Sequence, residues 1–140
     1  MARPNKEGLE YFSLDVDMDQ DDKIAFIESK YGITGFAIII KLLARIYKDG
    51  YYSLWTEREQ FLFNRNVNVD INTTLEVVNA CINEGLFNKN IYEKYSILTS
   101  NGIQKRFIKA CERRKTITMV KEYFLANDFV KTAKINNIIL

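Results

Sequence analysis

The sequence contains no histidine, a single proline (Pro4), six scattered glycines and only two cysteines. Each shortage closes off a chemistry. Without imidazole there is no Ser-His-Asp triad, no Cys-His dyad and no zinc site that needs a histidine ligand. Cys81 and Cys111 stand outside any CxxC spacing, among apolar positions of helical period. They read as small buried hydrophobes, not as a disulfide framework or a metal pair. The glycines form neither Walker nor Rossmann spacing, so no phosphate cradle is expected. No repeat, low-complexity run or Gly/Ser linker interrupts the chain. Long apolar runs are missing too: the most apolar stretch, Phe36 to Tyr47, is too short to span a bilayer and contains Lys41 and Arg45. The opening Met1–Glu7 is polar and lacks the apolar centre of a signal peptide. The expectation is a cytoplasmic protein with no membrane partner, no cofactor, no metal and no catalytic residues, and therefore not an enzyme.

What is present is a good supply of core. Of 140 residues 47% are hydrophobic, with eight Tyr, nine Phe and one Trp, enough for one compact domain. Charge is unevenly distributed. Residues 1–70 carry nine Lys/Arg against twelve Asp/Glu, and residues 71–140 carry eleven against six. A basic second half suits a polyanion partner; a purely solubilising role for the asymmetry is the competing reading.

Periodicity then sets the elements. Asp21 to Tyr31 reads as a first helix, with carboxylates at its positive end and Gly32 as its stop. Thr34 to Lys48 reads as a central helix, apolar over most of its girth through Phe36, Ile39, Ile40, Leu43 and Tyr47 with Ile38, Leu42 and Ile46. Tyr51 to Trp55 is a short strand. Thr56 and Glu59 form a capping-box pattern that opens a third helix, Glu57 to Arg65, followed by the turn Asn66–Asp70. A fourth helix spans Asn72 to Glu84, with Gly85 as its stop. Leu86–Asn88 and Ile97–Thr99 are expected to pair as strands around a helical turn at Asn90–Lys94. Ser100 caps a fifth helix reaching Arg114, with Ile103, Phe107, Ala110 and Cys111 inward. Beyond Lys115, Ile117 and Met119 alternate like a strand, Val120, Tyr123 and Phe124 permit a helix, and Ile138–Leu140 is an apolar end.

Strand, helix, Asn-rich turn, helix and a strand pair is the order of a winged helix-turn-helix, in which the second helix is offered to a DNA groove and the strands form a wing beside it. The expected class is mainly α (α+β): a winged helix-turn-helix over residues 1–115, with an N-terminal helical extension and a small β wing. Residues 116–140 form a C-terminal extension for packing or dimerisation.

The presenting helix would turn outward Asn72, Thr73, Thr74, Glu76, Asn79 and Asn83, types able to contact base edges. It holds no Lys or Arg, so phosphate anchors would come from Arg58 and Arg65 before it and from Lys89 and Lys94 in the wing. The fifth helix is richer in cations: Lys105, Arg106, Lys109, Arg113, Arg114 and Lys115, of which Arg106, Lys109 and Arg113 share a face at i, i+3, i+7 spacing. That face could follow a phosphate backbone, or it could be a solvated surface with cations at the favourable helix end. The acidic run Asp15, Asp17, Asp19, Asp21, Asp22 admits an EF-hand register from Asp17 to Glu28. Asp22, however, occupies the place of the obligatory glycine, and helix-opening carboxylates explain the run without a metal.

Several motifs in order resemble the opening of phage and prophage replisome organizers: Met1–Pro4, Gly8–Phe12, Leu14–Asp17, Tyr31–Ala37, Asp49–Tyr52, Val69–Ile71, Gly85–Phe87 and Ile97–Phe107. The resemblance covers residues 1–115. It implies the N-terminal winged-helix domain of a replication-initiation protein related to the DnaD primosomal family, which binds origin DNA and often self-associates. Implied partners are DNA, replication proteins such as a helicase or helicase loader, and further copies of the chain. The alternative is an oligomerisation or protein-docking scaffold of a replication protein without direct DNA contact.

Overall fold

The computed structural model describes residues 8–140 and their side chains except that of Asp19. The Met1–Pro4 motif and the polar Met1–Glu7 opening lie outside the described residues. The first helix, α1 (Asp22–Asp49), is capped by Asp21, whose carboxylate accepts from Lys23 N at 3.0 Å and Ile24 N at 3.3 Å. It breaks at Gly32 (φ 70°, ψ −164°), a conformation open to a residue without a Cβ. The two expected helices are thus the two arms of α1. Ile24 and Ile27 are buried on the first arm, and Ile38, Ile39, Leu42, Ile46 and Tyr47 on the second. Ile38, Leu42 and Ile46 are wholly enclosed, each contributing about 1.5–3 kcal/mol by leaving water.

After β1 (Ser53–Leu54) come α2 (Glu57–Val67) and α3 (Ile71–Asn83), and α3 packs on α1 and α2. Thr56 does not close the expected capping box. Its hydroxyl donates to the Glu59 carboxylate, a charge-assisted bond that takes the oxygen away from the backbone, and this contact holds the Glu59 carboxyl below its ordinary pKa. The turn between α2 and α3 is built by side chains. Asn68 ends α2 in the left-handed conformation (φ 58°), and Asp70 opens α3 by accepting from Asn72 N at 2.8 Å. Asn64 Nδ2 donates to Val69 O at 2.8 Å while its Oδ1 accepts from Thr74 Oγ1 at 2.5 Å.

The strand pairing differs from the expected one. Ile97–Leu98 (β2) pairs antiparallel with β1, Ser53 opposite Leu98 and Leu54 opposite Ile97. Leu86–Asn88 forms no strand, because Asn88 turns its side chain to Ile91 N and opens α4 (Lys89–Tyr95). A single backbone bond, Asn88 N to Thr99 O at 2.8 Å, joins that segment to the ladder. The class is nonetheless the expected one, mainly helical with a small β wing, and the expected helical turn at Asn90–Lys94 lies within α4.

Ser100 caps α5 (Asn101–Ala110) through Ile103 N at 3.1 Å, and the helix stops four residues short of Arg114. Ala110, expected inside, is exposed because the helix ends there; Gln104 and Ile108 are buried in addition to Ile103, Phe107 and Cys111. Beyond it, β3 (Ile117–Thr118) pairs in parallel with β4 (Ile138–Ile139), and α6 (Asn127–Thr132) lies between them in sequence. The apolar end therefore folds back on its own chain. Ile117, Met119 and Ala126 enter the core. Gln104, itself wholly buried, donates to Thr99 Oγ1 (3.2 Å) and Tyr123 O (2.8 Å) and accepts from Leu125 N (2.7 Å). Among the described residues no helix is long and apolar enough to cross a membrane.

Candidate nucleic-acid interface

Helix α3 has one locked face and one free face. Thr74, Val77, Val78, Cys81 and Ile82 are buried. Asn72, Glu76, Asn79 and Asn83 are exposed at i, i+4, i+7 and i+11, one straight row along the helix. Thr73 is half-buried at the edge of that row. Thr74, expected outward, is wholly enclosed and tied to Asn64, so it is withdrawn from the presented set: position 74 stands i−3 and i−4 from Val77 and Val78 and belongs to the core stripe.

Cations surround this helix unevenly. Arg58 and Arg65 are exposed on α2, and Lys89 and Lys94 are exposed on α4, which also packs on α3. Lys105 and Lys109 are exposed on α5, with the Lys105 ammonium 5.5 Å from the centre of the Phe129 ring. The expected common face of Arg106, Lys109 and Arg113 does not form, because α5 ends at Ala110 and Arg113 lies in the turn beyond it. Two of the expected cations are tied to the fold by hydrogen bonds, although Arg106 stays exposed. Arg106 donates from Nη1 to Tyr47 Oη at 3.0 Å, and the half-buried Arg114 donates from Nη2 to Gly8 O at 3.1 Å. Burial raises the Tyr47 pKa, against the opposing pull of Arg106. Arg106 also lines a cavity of about 490 Å³ that Asp15, Asp17 and Asp21 border, which disfavours a phosphate there.

Sequence reasoning passed over Phe61, Leu62 and Asn64. The first two are exposed on α2 between Arg58 and Arg65, at helical spacing legible in the sequence. Asn64 braces the α2–α3 turn, and only its place just before an Asn-rich turn pointed to it.

Residues 11–103 match the family described as Lin1244/Lin1753-like, N-terminal, over about two-thirds of the chain. The chain belongs to that family. The Lin1244/Lin1753-like match takes in α1 to α4 and the start of α5, so the asparagine row of α3 lies inside it, while Lys105, Arg106, Lys109, Arg113 and Arg114 lie beyond it. A Listeria innocua relative, named an uncharacterized phage-related protein Lin1244/Lin1753, is 55% identical over 125 residues. The alignment covers 89% of this chain and 41% of the relative, so the chain spans less than half of that protein's length. No solved structure matches the chain.

Proposed function

We propose that this Lin1244/Lin1753-like domain is a non-enzymatic winged-helix module of a phage or prophage replication-initiation protein, of the replisome-organizer and DnaD-like type, working in the cytoplasm. The observation that carries the reading is the exposed row Asn72, Asn79 and Asn83 on a helix whose other face is fixed by packing. Asparagine can bond adenine in a bidentate manner, and a rigid helix can hold it at the floor of a major groove. With no Lys or Arg on α3, phosphate contacts fall to its neighbours: Lys89 and Lys94 on α4, and Lys105, Lys109 and Arg113 around α5. The relative's phage-related name supports the biological setting. A helicase or helicase loader is the further partner of this reading. A docking scaffold without direct DNA contact is the second reading, favoured by the absence of a cation from α3 and by the exposed Phe61 and Leu62.

Fluorescence anisotropy with labelled duplex and single-stranded oligonucleotides at two salt concentrations tests the proposal. Duplex binding should weaken steeply with salt. Lys89→Ala with Lys94→Ala should lower the salt slope by about two, roughly one for each phosphate that is no longer neutralised. Asn79→Ala should relax base preference by about 1–3 kcal/mol at one position. No binding at low salt and high micromolar protein would discard the DNA reading in favour of the scaffold.

A further inference from the structure

The cavity of about 490 Å³ beside Arg106 has two unlike walls. The inner one is apolar and belongs to the body of the fold: Ile24 and Ile39 of α1, Phe87 from the link between α3 and α4, and Ile103 of α5, all buried. The outer one is the chain from Phe12 to Asp21. Phe12 stacks on Tyr47 with ring centres 4.9 Å apart, which fastens one end, and the Asp21 cap on α1 fastens the other. Between them the chain closes into a turn and a short 3-10 helix, Met18–Gln20, through Met18 N to Asp15 O at 3.1 Å and Gln20 N to Asp17 O at 2.9 Å.

The charge around the cavity is one-sided. Among the described residues that line it, three carboxylates (Asp15, Asp17 and Asp21) stand against one guanidinium (Arg106), a balance of −2. Asp21 spends Oδ1 on the α1 cap, and Arg106 donates to Tyr47 Oη. The exposed Asp15 and Asp17 carboxylates take part in no hydrogen bond among the described residues, so nothing there uses up their charge. The volume falls in the range of small-ligand sites, roughly 300–1,000 Å³. An apolar wall facing two carboxylates matches a cation carried on an apolar body, since each part of such a molecule then meets its own kind of surface. Partial enclosure also makes the carboxylates count for more than they would on an open surface.

We infer that this cavity is a binding site for a small organic cation, an ammonium group on an aromatic or branched aliphatic body. The body lies against Ile39, Phe87 and Ile103, and Asp15 and Asp17 hold the ammonium. Removing the apolar body from water supplies the attraction, and the carboxylates select the sign of charge, refusing an anion of the same shape. None of the α3 asparagines lines the cavity, so the inference stands whether or not α3 reads DNA.

Methyl NMR on the 140-residue chain with labelled isoleucine tests it, using two probes of one shape and opposite charge, phenethylamine and 3-phenylpropionate. Phenethylamine at millimolar concentration should shift the Ile39 and Ile103 methyl signals saturably, and 3-phenylpropionate should bind more weakly. Asp15→Asn with Asp17→Asn takes the charge balance of the lining from −2 to 0. That variant should bind the amine about two- to tenfold less tightly, as expected for partly exposed charge pairs, and should lose the preference for amine over acid. Arg106→Gln takes the balance to −3 and should tighten the amine. The inference is overturned if phenethylamine leaves both methyl signals in place or the acid binds as well as the amine. A folded Asn variant that keeps the full preference overturns it too. The methyl spectrum itself reports whether each variant is folded, and if one is not, the comparison of the two probes on the wild type still decides.

Discussion

Thr74 shows how a single hydroxyl can set the position of a whole helix. It is sealed beneath α3 and donates to Asn64 Oδ1, and the Asn64 amide in turn holds the Val69 carbonyl. Thr74→Val keeps the volume and removes the donor, leaving a part-buried acceptor without its partner. The expected loss is about 1–3 kcal/mol in urea denaturation. Asn79→Ala, on the exposed row, should stay within about 0.5 kcal/mol of the parent. The difference was half legible in the sequence. Helical period puts 72, 76, 79 and 83 on one side, and the same period puts 74 with 77, 78 and 81; reading polar as outward is what misplaced Thr74. Gln104 escaped notice for the same reason, since nothing about a lone glutamine announces three hydrogen-bond contacts from a buried position.

At the scale of elements, helices were legible and partners were not. The extents of α2 and α3 follow from their stops, Asn68 and Gly85, and from the apolar rows between them. The partner of β2 could not be read, because β1 lies more than forty residues upstream and any short apolar run satisfies the same local pattern. The length of α5 was overestimated because Arg113 and Arg114 suit a helix end as well as a turn. Gly32 is the clearest element-level device. A Cβ there would meet nothing within 4 Å, so the cost of Gly32→Ala lies wholly in the backbone, which must hold φ 70° and ψ −164° with a side chain present. The variant should lose about 1–3 kcal/mol in urea denaturation, and Ile24 and Ile27 on the first arm should lose protection before the second arm does.

For the molecule as a whole, the acidic and basic halves of the sequence do not become an acidic and a basic side. Arg106 and Arg114 reach back to Tyr47 and Gly8, and Asp15, Asp17 and Asp21 border the same cavity as Arg106. The polyanion surface suggested by the sequence is correspondingly reduced to the cations that stay free of such ties. The enclosed acids also give the molecule an alkaline limit. Burial pushes the Cys81 thiol from 9.0 up to about 12, and it raises Cys111 and Tyr47 as well. These groups keep their protons to higher pH in the folded chain than in the unfolded one, so unfolding releases protons in that interval. Stability should therefore fall as pH climbs from about 9 toward 12. Thermal melts across that range check it, and Cys81→Ala should flatten the decline.

The chain's single tryptophan, Trp55, sits 2% exposed where the first strand hands over to α2, edge-on to Phe63. The chain thereby carries one optical reporter beneath α2, sealed from solvent. A ligand that leaves the colour of its emission unchanged has settled on a standing scaffold. One that reddens it has prised α2 away from the body.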